Sequence, residues 1–358
     1  MLTIVAIIIA CFFAMNIGAS GTAAAMGPAY GSGAIPNKRN AMILVGAFAF
    51  LGALAGGEVV RTIGSGIIPV SIVDVEIVII ILAAACLSLF IANLLGIPLS
   101  TSEVVVGAIV GAGIAYQSLY FDKLIVIVSF WVIIPIVAFL LAFMFGHLVR
   151  KLEKKYPDLT GKGKWRTPLV VLLIVSGCME AYAAGMNNVA NAVGPLVGAG
   201  LLDITPAILM GGFFVAIGAL LLGGRVLETN GKRITKLSLL QGSTVSLTGG
   251  SLVITASIFG LPVPLTQVTT SAIIGIGTVE GGLRLWQKSI LKQILKVWIV
   301  SPLFSLVLSY GLITLFKEGN YYILFVLLSV LIATGGAYSM YQTARKERRS
   351  TFDDGGGI

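Results

Sequence analysis

Charge is scarce in this chain and histidine almost absent. Only 11% of its 358 residues are charged, against roughly 25% in a soluble domain, while 57% are hydrophobic and the mean hydropathy is +1.00. So few charges exclude a soluble globular fold. The single histidine, His147, ends an apolar stretch beside a basic run, where an interfacial side chain is a better reading than a catalytic one. H-E-x-x-H, the phosphate-binding G-x-x-x-x-G-K-[ST] and G-x-S-x-G are all missing. The chain is therefore not read as an enzyme, and neither a cofactor nor a metal site is expected. Cys11, Cys86 and Cys178 lie in apolar stretches without pairing or metal-ligand spacing and read as small core residues.

What the chain has in quantity is apolar sequence of membrane-spanning length. Stretches near 2–17, 41–57, 68–95, 122–147, 168–184, 203–222, 237–259, 293–316 and 321–342 approach the ~20 residues that cross a bilayer. Two Gly-rich stretches, 98–116 and 262–282, fit either a crossing or a re-entrant hairpin. Counting both gives eleven crossings. The first stretch lacks a basic flank and an A-x-A site, so it reads as a mature span.

The net charge of +9 reflects topology and not nucleic-acid binding. With eleven crossings and the N-terminus outside, the inner loops collect Lys38, Arg39, the run RKLEKKYPDLTGKGKWR (150–166), Arg225, Lys232, Arg233, Lys236, four basic residues over 284–296 and the tail RKERR (345–349). Arg61, Lys123 and Lys317 remain outside. That asymmetry is the positive-inside pattern, and it places the C-terminus in the cytoplasm of a multi-pass cell-membrane protein.

The chain also contains itself twice. IGASGTAAAMG (17–27) aligns with AGMNNVANAVG (184–194), LAGGEVVRTIGSGI (54–67) with LLGGRVLETNGKRI (221–234), and GIPLSTSEVVVGAIVGAG (96–113) with GLPVPLTQVTTSAIIGIG (260–277). Offsets of 167, 167 and 164 residues keep the blocks in order, which marks a duplication. Five crossings separate the two starts, and an odd number inverts the second copy. The expected fold is an all-α polytopic membrane protein of two inverted-topology repeats, each of about five membrane elements with broken or re-entrant helices at the core. One C-terminal helix is added. The boundaries are 1–147 for the first repeat, 148–167 for a basic cytoplasmic linker, 168–316 for the second repeat, 317–342 for the extra helix and 343–358 for the tail. Inverted repeats with interrupted spans are the pattern of secondary transporters, whose site lies at the repeat interface near the midplane.

Polar residues cluster at the expected breaks, GASGT (18–22) and GMNNV (185–189), where freed backbone N–H groups and the carboxamides of Asn187, Asn188 and Asn191 can donate to an anion. The anion-facing set is Ser20, Gly21, Thr22, Ala23, Asn187, Asn188 and Val189, joined by Ser100, Thr101 and Ser102 of PLSTSE and by Thr266 and Gln267 of PVPLTQVTTS. Hydroxyls after proline can also cap a helix, or serve only to pack it against a neighbour. Among ionisable groups at depth, Glu58 with Arg61 and Arg225 with Glu228 repeat one ion pair with its signs exchanged. Spacing of three puts each pair on one helix face, and the pseudo-twofold could also bring Glu58 to Arg225. Both are read as structural or gating pairs. Glu103 has Gln267 as its counterpart and no base beside it, which suits a proton carrier, and Glu180 is the second candidate.

These motifs resemble the inorganic phosphate transporter (PiT) family, whose members carry a GANDVANA-type motif in each half, a G-G-x-V-x-x-T-I-like helix end and a P-x-S-T-T-H motif. GMNNVANAVG, VVRTIGSGI and PLSTSE match them. The resemblance covers nearly the whole chain and implies a symporter for a tetrahedral oxyanion, built from inverted repeats as a homodimer. The departures matter. The motif's Asn and Asp become Ser20 and Gly21 in the first copy, its Asp becomes Asn188 in the second, and the His positions hold Glu103 and Gln267. Phosphate can donate a proton to a carboxylate, whereas sulfate only accepts, so neutral donors favour sulfate, or thiosulfate. The same losses remove ligands for Na⁺. The pattern is that of the family's sulfate permease branch, which implies H⁺-coupled sulfate import by alternating access. The alternatives are a Na⁺-coupled phosphate symporter and a passive anion channel.

Overall fold

The computed structural model describes residues 1–95, 99–229, 231, 236–282, 289–323, 325, 326 and 329. Its first copy runs α1 (Leu2–Ile17), a π-helical turn (Gly18–Thr22), α2 (Gly27–Gly31), α3 (Lys38–Ala53), α4 (Gly57–Ser65), α5 (Val75–Leu95), α6 (Thr101–Ala115) and α7 (Phe121–Lys155). The second follows as α8 (Arg166–Gly198), α9 (Ile204–Leu222), α10 (Gly224–Glu228), α11 (Leu239–Ile258), α12 (Leu265–Gly281) and α13 (Ser289–Phe316). No strand occurs among the described residues. α13 leaves the larger compact unit, Met1–Ser309, and enters a second, Tyr310–Ile358. Most of the expected helix over 317–342 and all of the tail over 343–358 lie outside the described residues.

Glycines lock the two copies together by an exchange. A Cβ at Gly18 would strike the Val215 carbonyl of α9, and one at Gly218 the Met15 carbonyl of α1. The repeat supplies the same crossing again: Gly185 of α8 abuts the Ala49 carbonyl of α3, and Gly52 abuts that of Tyr182. Helix α1 therefore packs on α9 as α8 packs on α3. Reciprocal contact of this kind is what a twofold relation produces, and small residues at the crossing permit the close backbone approach that lipid-embedded helices rely on.

Fewer helices qualify as full spans than the eleven expected. Six described helices are long and apolar enough, or seven if α3 and α4, bent by 71° at Leu54–Gly56, count as one. The shortfall has three causes, the first being that most of the expected span 321–342 lies outside the described residues. At 1.5 Å per residue, α6 and α12, with 15 and 17 residues, reach only about 22 and 25 Å against a core of about 30 Å. α11 is long enough but turns Gln241, Ser243, Ser246 and Ser257 into the protein interior. The basic linker is also shorter than 148–167. α7 extends through Lys155, and only Tyr156–Trp165 separates it from α8.

Candidate functional site

The segments that precede α6 and α12 meet at the centre of the larger unit. Ser100 caps α6, its Oγ accepting from the Glu103 N–H at 3.3 Å, whereas α12 starts after Pro264 without a side-chain cap. The Leu99 carbonyl accepts from Ser20 Oγ at 3.1 Å and from Thr266 Oγ1 at 3.0 Å. Val263 holds the matching place in the second copy. Its N–H donates to Asn187 Oδ1 at 3.1 Å and its carbonyl accepts from Ser102 Oγ at 3.3 Å. Under the repeat offsets Ser20 corresponds to Asn187 and Ser102 to Thr266, so the two tips are held by equivalent residues. Each copy's tip is gripped by both copies.

The helix break expected at 185–189 does not occur. Gly18–Thr22 does open, with Ser20 at φ −100° and ψ −108°, but α8 passes unbroken through Gly185–Val189. Asn lowers helix propensity by competing for nearby backbone, and here the carboxamides have better partners on distant segments. Asn187 Nδ2 donates to Ser257 Oγ and to the Leu261 carbonyl, both at 2.9 Å. Asn188 Oδ1 accepts from Thr101 Oγ1 at 3.1 Å, and its Nδ2 faces Thr22 Oγ1 at 3.5 Å. Asn191 Nδ2 donates to Thr101 Oγ1 at 3.0 Å and to Ser102 Oγ at 3.2 Å.

Gly21 leaves the gap between these groups. A Cβ there would lie 2.9 Å from Thr266 Oγ1 and 3.5 Å from Asn188 Nδ2. Ser20, Gly21, Thr22, Thr101, Asn188 and Thr266 thus enclose a buried polar centre with no formal charge among them. Hydroxyls can turn and amides can redirect their N–H groups, so this set can donate to an oxyanion. Two expected members face elsewhere. Ala23 packs against Gly223, and Val189 against Gly56 and Gly211, because both point away from the gap and into helix crossings.

Two carboxylates border this centre. Glu103, 4% exposed, accepts from Gln267 Nε2 at 2.5 Å, and its Oε2 has no partner. Since Gln267 is its own repeat counterpart, this contact straddles the pseudo-twofold. Glu180 is fully buried and accepts from Thr269 Oγ1. Sequence reading did not single out Ser257, or Asn93, whose Nδ2 donates to the Asn16 carbonyl at 2.9 Å. Only their polarity within apolar stretches marked them.

Two cavities open in different parts of the larger unit, each lined by residues other than those of the central cluster. One, of about 470 Å³, is lined by Glu58, Arg61, Lys123 and Leu261. The other, of about 650 Å³, is lined by Asn16, Lys38, Asn93 and Arg225. The ion pairs sit at these mouths. Glu58 and Arg61 pair at 2.5 Å as expected. The Arg225–Glu228 pairing is replaced: Glu228 takes Lys38 Nζ at 2.9 Å, and Arg225 donates to the Leu94 carbonyl. Lys38 begins α3 and packs against Gly224 at the start of α10, which brings its ammonium to Glu228. Glu58 and Arg225 line separate cavities, so no cross-copy pair forms.

The comparisons with known proteins agree with this architecture. A family model described as the phosphate transporter family matches residues 17–171 and 154–309, one stretch over each copy. Sulfate permease CysP of Bacillus subtilis (strain 168) is 56% identical over 354 residues, covering 99% of both chains. The solved structure of a sodium-dependent phosphate transporter has a TM-score of 0.77 and 26% identity, covering 87% of this chain and 97% of its own. The chain belongs to the phosphate transporter family.

Proposed function

We propose that the chain imports sulfate by proton-coupled alternating access across the cell membrane, with its N-terminus outside and its C-terminus in the cytoplasm. The observation that carries this reading is the neutrality of the central cluster. Asn188, between Thr22, Thr101 and Gly21, offers amide hydrogens to an anion that can only accept, where a carboxylate would repel it. High identity to a sulfate permease over the whole length supports the same substrate.

Ser20, Thr22, Thr101, Asn188 and Thr266 hold the oxyanion in this reading, and Gly21 gives it room. Their mutual hydrogen bonds are exchanged for bonds to the ligand, which keeps the buried donors satisfied in both states. Glu103 carries the proton. It stands one residue after Ser102, and its unpartnered Oε2 is the place for that proton. The two cavities serve as entrance and exit, with the tips at Leu99 and Val263 as alternating closures. The homodimer implied by the family resemblance is part of the proposal.

Labelled uptake into proteoliposomes tests it, with the pH and sodium gradients collapsed in turn. Sulfate should accumulate, should stop when the pH gradient is removed, and should ignore sodium. Uptake blocked by micromolar phosphate and unaffected by excess sulfate overturns the substrate. Uptake that survives loss of the pH gradient and fails with loss of sodium overturns the coupling.

A further inference from the structure

Glu180 breaks the repeat, and the break has a chemical sense. Carrying the offsets of 167 and 164 residues back to the first copy matches Glu180 with Phe13, Ser246 with Leu82, Gly249 with Ala85 and Thr269 with Val105. All four first-copy residues are fully buried and apolar. The second copy therefore builds a polar pocket where the pseudo-twofold provides a hydrocarbon core. Departures from local consistency concentrate at functional sites.

The pocket is made for a carboxyl group. Gly249 yields the space, since a Cβ there would lie 3.0 Å from Glu180 Oε1. Thr269 Oγ1 donates to that same oxygen. Ser246 stands beside the group, yet both Ser246 Oγ and Glu180 Oε2 lack a hydrogen-bond partner, and both residues are 0% exposed. A single proton on Oε2, free to donate to Ser246 Oγ, satisfies both orphan atoms at once.

Among the described residues no base pairs with this carboxylate, and the one base of its own helix, Arg166, stands at the first position of α8. α1, α9 and α11 contain no charged residue. α3 carries only Lys38 and Arg39 at its start, α4 carries Glu58 and Arg61, and α12 carries Glu280 at its end. Lys38 pairs with Glu228, Arg61 with Glu58, and Glu280 lies 4.0 Å from Arg150. A bare carboxylate buried in this way is held only when protonated or paired.

We propose that Glu180, set by Thr269 and Ser246, is a second proton-loading site beside the oxyanion centre, so that two protons travel with each sulfate, one on Glu103 and one on Glu180. This rests on the proton-coupled reading above. Thr269 follows Thr266 by one turn of α12, about 5 Å along the axis, so the second site neighbours the anion without touching it. Two protons balance the dianion, so loading adds no net charge to the carrier and the complete cycle is electroneutral.

The test is the coupling ratio in proteoliposomes, read from the pH gradient that just balances an opposing sulfate gradient, with membrane potential set by a potassium ionophore. The wild type should give a ratio of two and uptake that ignores the potential in either sign. Glu180→Gln keeps the Thr269 contact but not the exchangeable proton. It should give a ratio of one, with uptake slowed by an inside-negative potential and speeded by an inside-positive one. A wild-type ratio of one or three, or a variant that still gives two, overturns the proposal. The wild-type measurement decides by itself if the variant does not fold. Sulfate uptake with a ratio of one removes only the second site; no coupling to protons at all removes the parent reading as well.

Discussion

Residues 18–22 and 185–189 occupy the same place in the two copies and meet the same demand in different ways. Gly18–Thr22 opens the helical ladder and brings short side chains and backbone to the centre, with Ser20 outside helical geometry. Gly185–Val189 stays within α8 and reaches the centre with long carboxamides. A helix has to open where its side chains are too short to reach, as in the first copy, and can remain closed where Asn extends from it. Duplication thus fixed the place of the site, while each copy settled its chemistry separately.

The largest effect expected from disturbing this comparison comes from restoring a charge to the second copy. Asn188→Asp should reduce sulfate uptake in proteoliposomes by about 100-fold, since a carboxylate at membrane depth costs roughly 3 kcal/mol and also repels the substrate. Next is the pair of helix crossings. Gly185→Ala and Gly18→Ala each drive a Cβ into a facing carbonyl, of Ala49 and Val215, and should each cost about 1–3 kcal/mol. Detergent melting curves should show the two falling together, because the crossings are equivalent.

The same contrast explains how much could be read from the chain before its structure. The duplication, the inverted-repeat fold class, the opening at GASGT and the capping role of Ser100 follow from periodicity, glycine and proline. What could not be read were contacts chosen in three dimensions. Spacing pairs Arg225 with Glu228, but it cannot show that Lys38 arrives from 190 residues away. Low helix propensity at GMNNV suggests a break, but it cannot show that Ser257, Leu261 and Thr101 satisfy the carboxamides from distant segments. Apolar length alone also overcounts spans where α11 buries its own polar face.

Smaller effects sharpen the account. Ser20→Ala removes one of two donors to the Leu99 carbonyl. Because Thr266 still serves that carbonyl, the cost should be about 0.6 kcal/mol, near the average for a hydrogen bond between membrane helices. Sulfate affinity should fall about threefold, while Asn187→Ala, which removes a partner from Ser102, Ser257, Leu261 and Val263, should cost more. Lys38→Ala sits at a mouth of the protein, with both partners 41% exposed. A half-exposed ion pair contributes about 0.2–1 kcal/mol, so melting should move by no more than a degree or two, and less still in high salt.

The central claim is that a neutral cluster of donors selects an anion with no proton to give. Competition measures it most directly: uptake of labelled sulfate by the wild type, in the presence of unlabelled sulfate or phosphate at a pH where phosphate retains a proton. The account predicts that sulfate displaces the label and that an equal excess of phosphate does not. Equal displacement by both anions, or stronger displacement by phosphate, would contradict it.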